Sequence, residues 1–260
     1  MSLLVKDLSV RYGRKRVLDA LGLDAQPGHI TAIVGPNVSG KSTLIKAVCG
    51  DLPYDGSIRL NGLDISRAEP WRLAALRGVL PQAAVLAFPF HVIEVVRIGL
   101  QAGSGAEHDG RAETALARVG LLGDAHRYYQ ELSGGEQQRV QLARVLAQVC
   151  EPVSDQGPRW LILDEPVSSL DVAHQMQVMD IARDFAVNGG GVLAVMHDLN
   201  LPALYADQMV VMSKGTGRAA GAPQDVMTDA VVSEAYGCAL RVSTPPAGAI
   251  PYILPHAATS

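Results

Sequence analysis

Short apolar blocks alternate with helical stretches along this chain. Residues 30–34 (ITAIV), 160–163 (WLIL), 191–196 (GVLAVM) and 209–212 (MVVM) are brief, almost wholly apolar runs, the pattern of strands covered on both faces. Between them, residues 41–49 and 172–187 read as helices. Strands and helices in alternation predict an α/β fold with a mostly parallel central sheet and helices packed on both of its faces. Residues 3–10 and 57–60 look like an antiparallel β addition ahead of that sheet. From residue 83 to residue 150 the strands vanish and helical patterning takes over, with a loop marked by Gly103-Ser104-Gly105 and Asp109-Gly110. The expected organisation is one domain over 1–260, a helical subdomain inserted at 83–150 and a C-terminal extension over 227–260 that carries little readable pattern.

Composition narrows the classes. A chain of 260 residues can bury a large core. A net charge of −4 gives no reason to expect a nucleic-acid partner, whose phosphates demand clustered Lys and Arg. Cys49, Cys150 and Cys238 form no close pair and no CxxC, as suits a reducing compartment. Asp7 comes too early for a signal-peptide apolar core. No apolar run approaches the roughly 20 residues that span a bilayer; residues 92–100 are broken by Glu94 and Arg97. The mean hydropathy of +0.16 hints at a covered partner surface, although a core rich in alanine and leucine gives the same value.

Three segments carry chemistry. GPNVSGKST, residues Gly35, Pro36, Asn37, Val38, Ser39, Gly40, Lys41, Ser42 and Thr43, follows a strand and opens a helix, the context of a phosphate loop. Backbone N–H groups at such a helix start face an anion. Lys41 then reaches the β- and γ-phosphates of a nucleotide and Ser42 binds Mg²⁺; an ordinary glycine-rich turn is the plainer alternative. Asp164 and Glu165 end the apolar block 160–163, at the sheet edge where ligands bind, with two solvated acids closing a strand as the plainer alternative. Ser133-Gly134-Gly135-Glu136 is a capping-box pattern that starts a helix.

These three segments in this order, with LSGGEQQRV (Leu132 to Val140) in the middle, resemble the ATP-binding cassette (ABC) ATPases over residues 3–226. The resemblance implies a fold with a mostly parallel central sheet, an N-terminal antiparallel β subdomain and a helical insertion carrying the signature. It implies ATP and Mg²⁺ as ligands, with Asp164, Ser42 and Gln82 at the metal, Gln82 also coupling metal and water to the helical insertion, Glu165 polarising the attacking water, and Lys41 and His197 on the γ-phosphate. It also implies that Leu132, Ser133, Gly134, Gly135 and Glu136 contact ATP held by another subunit, and that Asp171, in Ser168-Ser169-Leu170-Asp171, couples the two sites. Tyr12 matches the aromatic that stacks on adenine, with a core or surface tyrosine as the alternative. Gln82 taken alone would be a surface glutamine, and His197 an incidental histidine after a strand.

One position departs from the family. Its pattern has glycine where this chain has Val38. Glycine there allows positive φ and close approach of backbone to phosphate, which a β-branched residue strongly disfavours. Weaker nucleotide binding or a strained loop is expected, unless φ at Val38 is negative or the loop rearranges.

One set of motifs per chain implies a head-to-tail homodimer. Residues 82–100, 128–149 and the extra loop 150–160, with the closing stretch 236–242, look most like haem importers among the metal-chelate importer ATPases. The resemblance implies an ATPase at the cytoplasmic face of the inner membrane, peripheral to two transmembrane permease subunits served by a periplasmic substrate-binding protein. Haem itself would be touched only by those partners. Residues 83–90, apolar with Pro89, are a candidate docking surface for the permease, or else a buried strand. Ferric siderophore or cobalamin stays open as cargo, and so does a nucleotide-binding module with turnover impaired by Val38.

Overall fold

The computed structural model describes residues 1–83, 86, 88–102, 110–248 and 250–254. Two sheets form the frame. The first is antiparallel, in the order β2-β1-β4-β5, from β1 (Leu3–Tyr12), β2 (Lys15–Ala25), β4 (Asp55–Leu60) and β5 (Leu63–Asp64). The second has the order β12-β11-β3-β10-β9-β6 and comprises β3 (Ile30–Val34), β6 (Arg77–Leu80), β9 (Trp160–Asp164), β10 (Gly191–Val195), β11 (Gln208–Ser213) and β12 (Thr216–Gly221). Every neighbouring pair from β11 to β6 is parallel; only the edge strand β12 runs antiparallel. A small hairpin of β7 (Val153–Ser154) and β8 (Gly157–Pro158) precedes β9.

Side-chain alternation along the central strands divides the core in two. Ile30, Ala32 and Val34 of β3, Leu161 and Leu163 of β9, and Val192 and Ala194 of β10 enter one apolar cluster. Ile33, Trp160, Ile162, Leu193 and Val195 point to the other face and enter the second. Strands covered on both faces cannot alternate apolar with polar, so they read as continuous apolar runs. The second cluster is closed by the antiparallel sheet and by α1 (Lys41–Cys49). The first is closed by α3 (Val92–Ala102), α4 (Arg111–Arg118), α5 (Gly134–Gln148) and α6 (Val172–Val187). Fully burying a side chain such as Leu161 contributes about 1.5–3 kcal/mol. α2 (Pro70–Leu76), α7 (Asn200–Tyr205), α8 (Pro223–Val226) and α9 (Asp229–Tyr236) complete the chain.

The expected parallel sheet and antiparallel addition are both present, with small shifts of bounds: the strand expected at 191–196 ends at Val195. Gly103, Ser104, Gly105 and Asp109, expected as a loop, lie outside the described residues. No described helix is long and apolar enough to cross a membrane.

Candidate nucleotide site

Strand order alone assembles the site. β3, β10, β9 and β6 are parallel neighbours, so the segments leaving them emerge at one edge of the sheet. Those segments begin with Gly35 after β3, His197 just beyond β10, Asp164 and Glu165 at the end of β9, and Gln82 just beyond β6.

The phosphate loop is clamped between β11 and β2. A Cβ on Gly35 would meet the Met212 carbonyl oxygen at 2.1 Å, and one on Gly40 the Leu18 Cδ2 at 2.6 Å. Both residues have positive φ, 149° and 106°, and Gly40 caps the start of α1. Glycine is the residue that meets both demands. Lys41 is buried and donates from Nζ to the carbonyl oxygens of Gly35 (2.7 Å) and Pro36 (3.1 Å). Burial lowers its pKa, while Glu165 and Asp164 raise it. Ser39 is buried with its hydroxyl unpartnered; Asn37 and Ser42 are exposed and Thr43 half-buried. Val38 has φ +66° and is 86 % exposed. The alternative of a negative φ is thus not realised: a β-branched residue sits in the left-handed region with its side chain in solvent.

Glu165 is the hub of the acidic end. It is buried, with φ +54°, and its N–H donates to the Val195 carbonyl (3.0 Å). One carboxylate oxygen accepts from Gln82 Nε2 (2.9 Å) and the other meets His197 Nε2. The neighbouring Asp164 is buried too, and its Oδ1 has no hydrogen-bond partner. Desolvation raises the Asp164 pKa, Glu165 adds to the rise, and His197 and Lys41 oppose it. Gln138 was not singled out from the sequence. Its Nε2 donates to the Glu165 carbonyl (2.9 Å), tying α5 to the end of β9; its place inside QQRV was the available signal.

The signature segment lies elsewhere. Ser133 caps α5 in a reciprocal box: its Oγ accepts from the Glu136 N–H (3.3 Å), while its own N–H donates to Glu136 Oε2 (2.8 Å). The hydroxyl and backbone of Ser133 hold the Glu136 carboxyl below its ordinary pKa. Asp171 caps α6 by accepting from the His174 N–H (2.9 Å). Ser133, Gly134, Gly135, Ser169 and Asp171 share the lining of an open cavity of about 380 Å³. Leu132 faces inward and is buried in the core, so its side chain takes no part in that surface. Tyr12 is half exposed at the β1–β2 turn. Of the expected docking segment, Leu86 and Phe90 pack partly on the core, Phe88 is 68 % exposed, and residues 84, 85 and 87 lie outside the described residues. The described residues of that segment form no strand.

The sequence profile of the ABC transporter family matches residues 18–168, more than half of the chain. The chain belongs to the ABC transporter family. ATP-binding subunits of this family are ATPases, and this chain is one. It is 60 % identical over 258 residues to the hemin import ATP-binding protein HmuV of Roseobacter denitrificans, covering 99 % of each chain. It is 55 % identical to the protein of the same name from Rhizobium meliloti, covering 97 % of this chain and 98 % of that one. Among solved structures, an ATP-binding subunit of an ABC transporter superposes with TM-score 0.77 at 25 % identity, over 87 % of this chain and 92 % of that chain. A nucleotide-free cassette from an ABC transporter gives 0.76 at 25 % identity, over 90 % and 98 %.

Proposed function

We propose that this ABC ATPase energises haemin import through a partner permease. The observation that carries the cargo is end-to-end identity of 60 % with a haemin-import subunit. The relatives named above carry no siderophore or cobalamin assignment, which favours haemin over those two.

ATP is held by the loop 35–43. Lys41 exchanges the Gly35 and Pro36 carbonyls for phosphate oxygens, and the amides at the α1 N-terminus face the same anion. Tyr12 stacks on the base. Mg²⁺ fits here because Asp164 presents a buried, unpartnered carboxylate oxygen and Ser42 an exposed hydroxyl on the first turn of α1. Ser42, Asp164 and Gln82 would hold it, and it would neutralise phosphate charge in the transition state. Gln82 must then leave Glu165 and turn its carboxamide oxygen outward. Glu165, freed on that side, accepts a proton from the attacking water, and His197 shifts from the carboxylate toward the γ-phosphate. Leu132 to Glu136 of a second copy close over the same nucleotide, Leu132 contributing backbone only. Asp171 links the two sites.

The working unit is a head-to-tail homodimer bound to two permease subunits at the cytoplasmic face of the inner membrane, with a periplasmic binding protein delivering cargo. The domain spans 1–260, with 83–150 as the helical subdomain, 227–260 as the extension, and 83–90 around exposed Phe88 as the docking surface. The test is growth of a strain lacking this chain on haemin as sole iron source. Growth should return with the natural chain and fail with Glu165→Gln. Loss of growth on a ferric siderophore with haemin use intact would reject haemin as cargo.

A further inference from the structure

A second cavity, of about 760 Å³, lies on the far side of the His197 loop, between that loop, α9 and the segment after α9. This size is typical of small-molecule sites, which run to roughly 300–1,000 Å³. The outer wall is stapled in place. The Leu240 N–H donates to Ser233 Oγ (2.9 Å), and the Val242 N–H donates to Asp229 Oδ1 (2.7 Å). The backbone of Arg241 is fixed between those two anchors, its side chain is exposed, and it is the one Lys or Arg in the lining. Among the described residues its guanidinium has no ion pair. Asp198 is the acid in the lining, and its Oδ1 accepts from the Asn200 N–H (2.8 Å) and the Leu201 N–H (2.7 Å). The lining thus carries one anion held by its own backbone and one cation, Arg241, whose donors are unengaged among the described residues, on walls that are otherwise largely apolar and include the aromatic Tyr252.

The same cavity borders two working parts of the nucleotide site. His197 lines it while its Nε2 meets Glu165. The Tyr236 hydroxyl is buried close to the Gly35 backbone without a hydrogen bond of ordinary geometry, and burial pushes its pKa up. A molecule filling the cavity would pack on the His197 ring and on Tyr236 together, and so restrain both.

We infer that this cavity is a regulatory binding site for a small apolar aromatic anion, held by Arg241 and Tyr252, which slows hydrolysis by restraining His197. The regulatory half depends on the ATPase reading; the binding half does not. The probe is 1-anilinonaphthalene-8-sulfonate, an aromatic anion whose fluorescence reports apolar burial, titrated into the full chain with saturating Mg-ADP so that the phosphate site is filled. One saturable site per chain is expected, weakened about tenfold or more by Arg241→Glu and by Tyr252→Ser, and largely kept in Arg241→Lys. In a separate assay without ADP, the probe-saturated natural chain should hydrolyse ATP more slowly, whereas Arg241→Glu, with unchanged basal hydrolysis, should ignore the probe. Non-saturable binding, or binding indifferent to both substitutions, overturns the site. Specific binding without slowed hydrolysis overturns the coupling. A natural chain with no hydrolysis at all contradicts the ATPase reading, while the binding isotherm still decides the cavity.

Discussion

The phosphate-loop end and the signature end of this chain differ in how they are built. At the first, Lys41, Asp164 and Glu165 are buried, and Glu165 is bonded to Gln82, 83 positions away in sequence, and to His197, 32 away. At the second, the polar contacts are local: Ser133 with Glu136 and Asp171 with His174, each three residues apart. Ser133, Ser169 and Asp171 are exposed. One end is a converged pocket assembled by the sheet. The other is a capped helix start presented to solvent, with donors aimed outward. The Gly134 and Gly135 N–H groups, which take no part in that capping box, fit a surface that meets an anion on another chain.

Substitutions should separate the two ends. The largest effect is expected from Glu165→Gln, which removes the general base and should lower hydrolysis by about 10²-fold or more while leaving ATP binding intact; single-turnover kinetics beside a binding titration checks it. Next is Val38→Gly. Val38 holds φ +66° in the folded chain, so relieving a β-branched residue there returns on the order of 1–3 kcal/mol to the stability of the fold, read as a raised unfolding midpoint. Equal unfolding midpoints by calorimetry would show that the loop carries valine without cost. Ser133→Ala removes the α5 cap, worth about 1 kcal/mol of stability. It should lower steady-state hydrolysis without changing ATP affinity of the single chain, and a loss of that affinity would place the signature in the wrong site.

The smallest effect concerns Cys49, at the end of α1 away from the phosphate loop. Burial pushes its thiol up to about 11, with Arg77 pulling the other way. The folded state therefore favours the protonated thiol. That contribution is complete below the unfolded value near 9 and drains away as pH rises through about 11. Unfolding midpoints should fall across that window and fall less in Cys49→Ala. At pH 8, exposed Cys238 should be alkylated well before Cys49.

Much of this was legible in the sequence, for identifiable reasons. Parallel strands buried on both faces leave continuous apolar runs, so 30–34, 160–163 and 209–212 stood out, and motifs tied to strand ends came with them. The capping box around Ser133 is local and needs no fold to be seen. β2 was not read, because its buried apolar residues fall at Leu18, Leu21, Leu23 and Ala25, with Val17 and Ala20 between or beside them. Ala20 at φ +48° and the irregular register with β1 break the two-residue period there. β12, with sequence TGRAAG, carries no apolar signal and exists as an antiparallel edge on β11. Leu132 looked like part of a contact surface and is core, since a motif string does not say which way each side chain points. Arg241 and the cavity behind His197 could not be seen from sequence, because their walls come from segments tens of residues apart.

The claim most exposed to test is that the two ends complete one site only between two copies. Lys41→Ala disables the first end and Ser133→Arg the second. Hydrolysis should be measured for each variant alone and for an equimolar mixture at the same total concentration. The mixture forms pairs with one intact composite site, so it should exceed the mean of the separate variants several-fold. A mixture no more active than that mean would contradict the account, and would mean that each chain completes its own site.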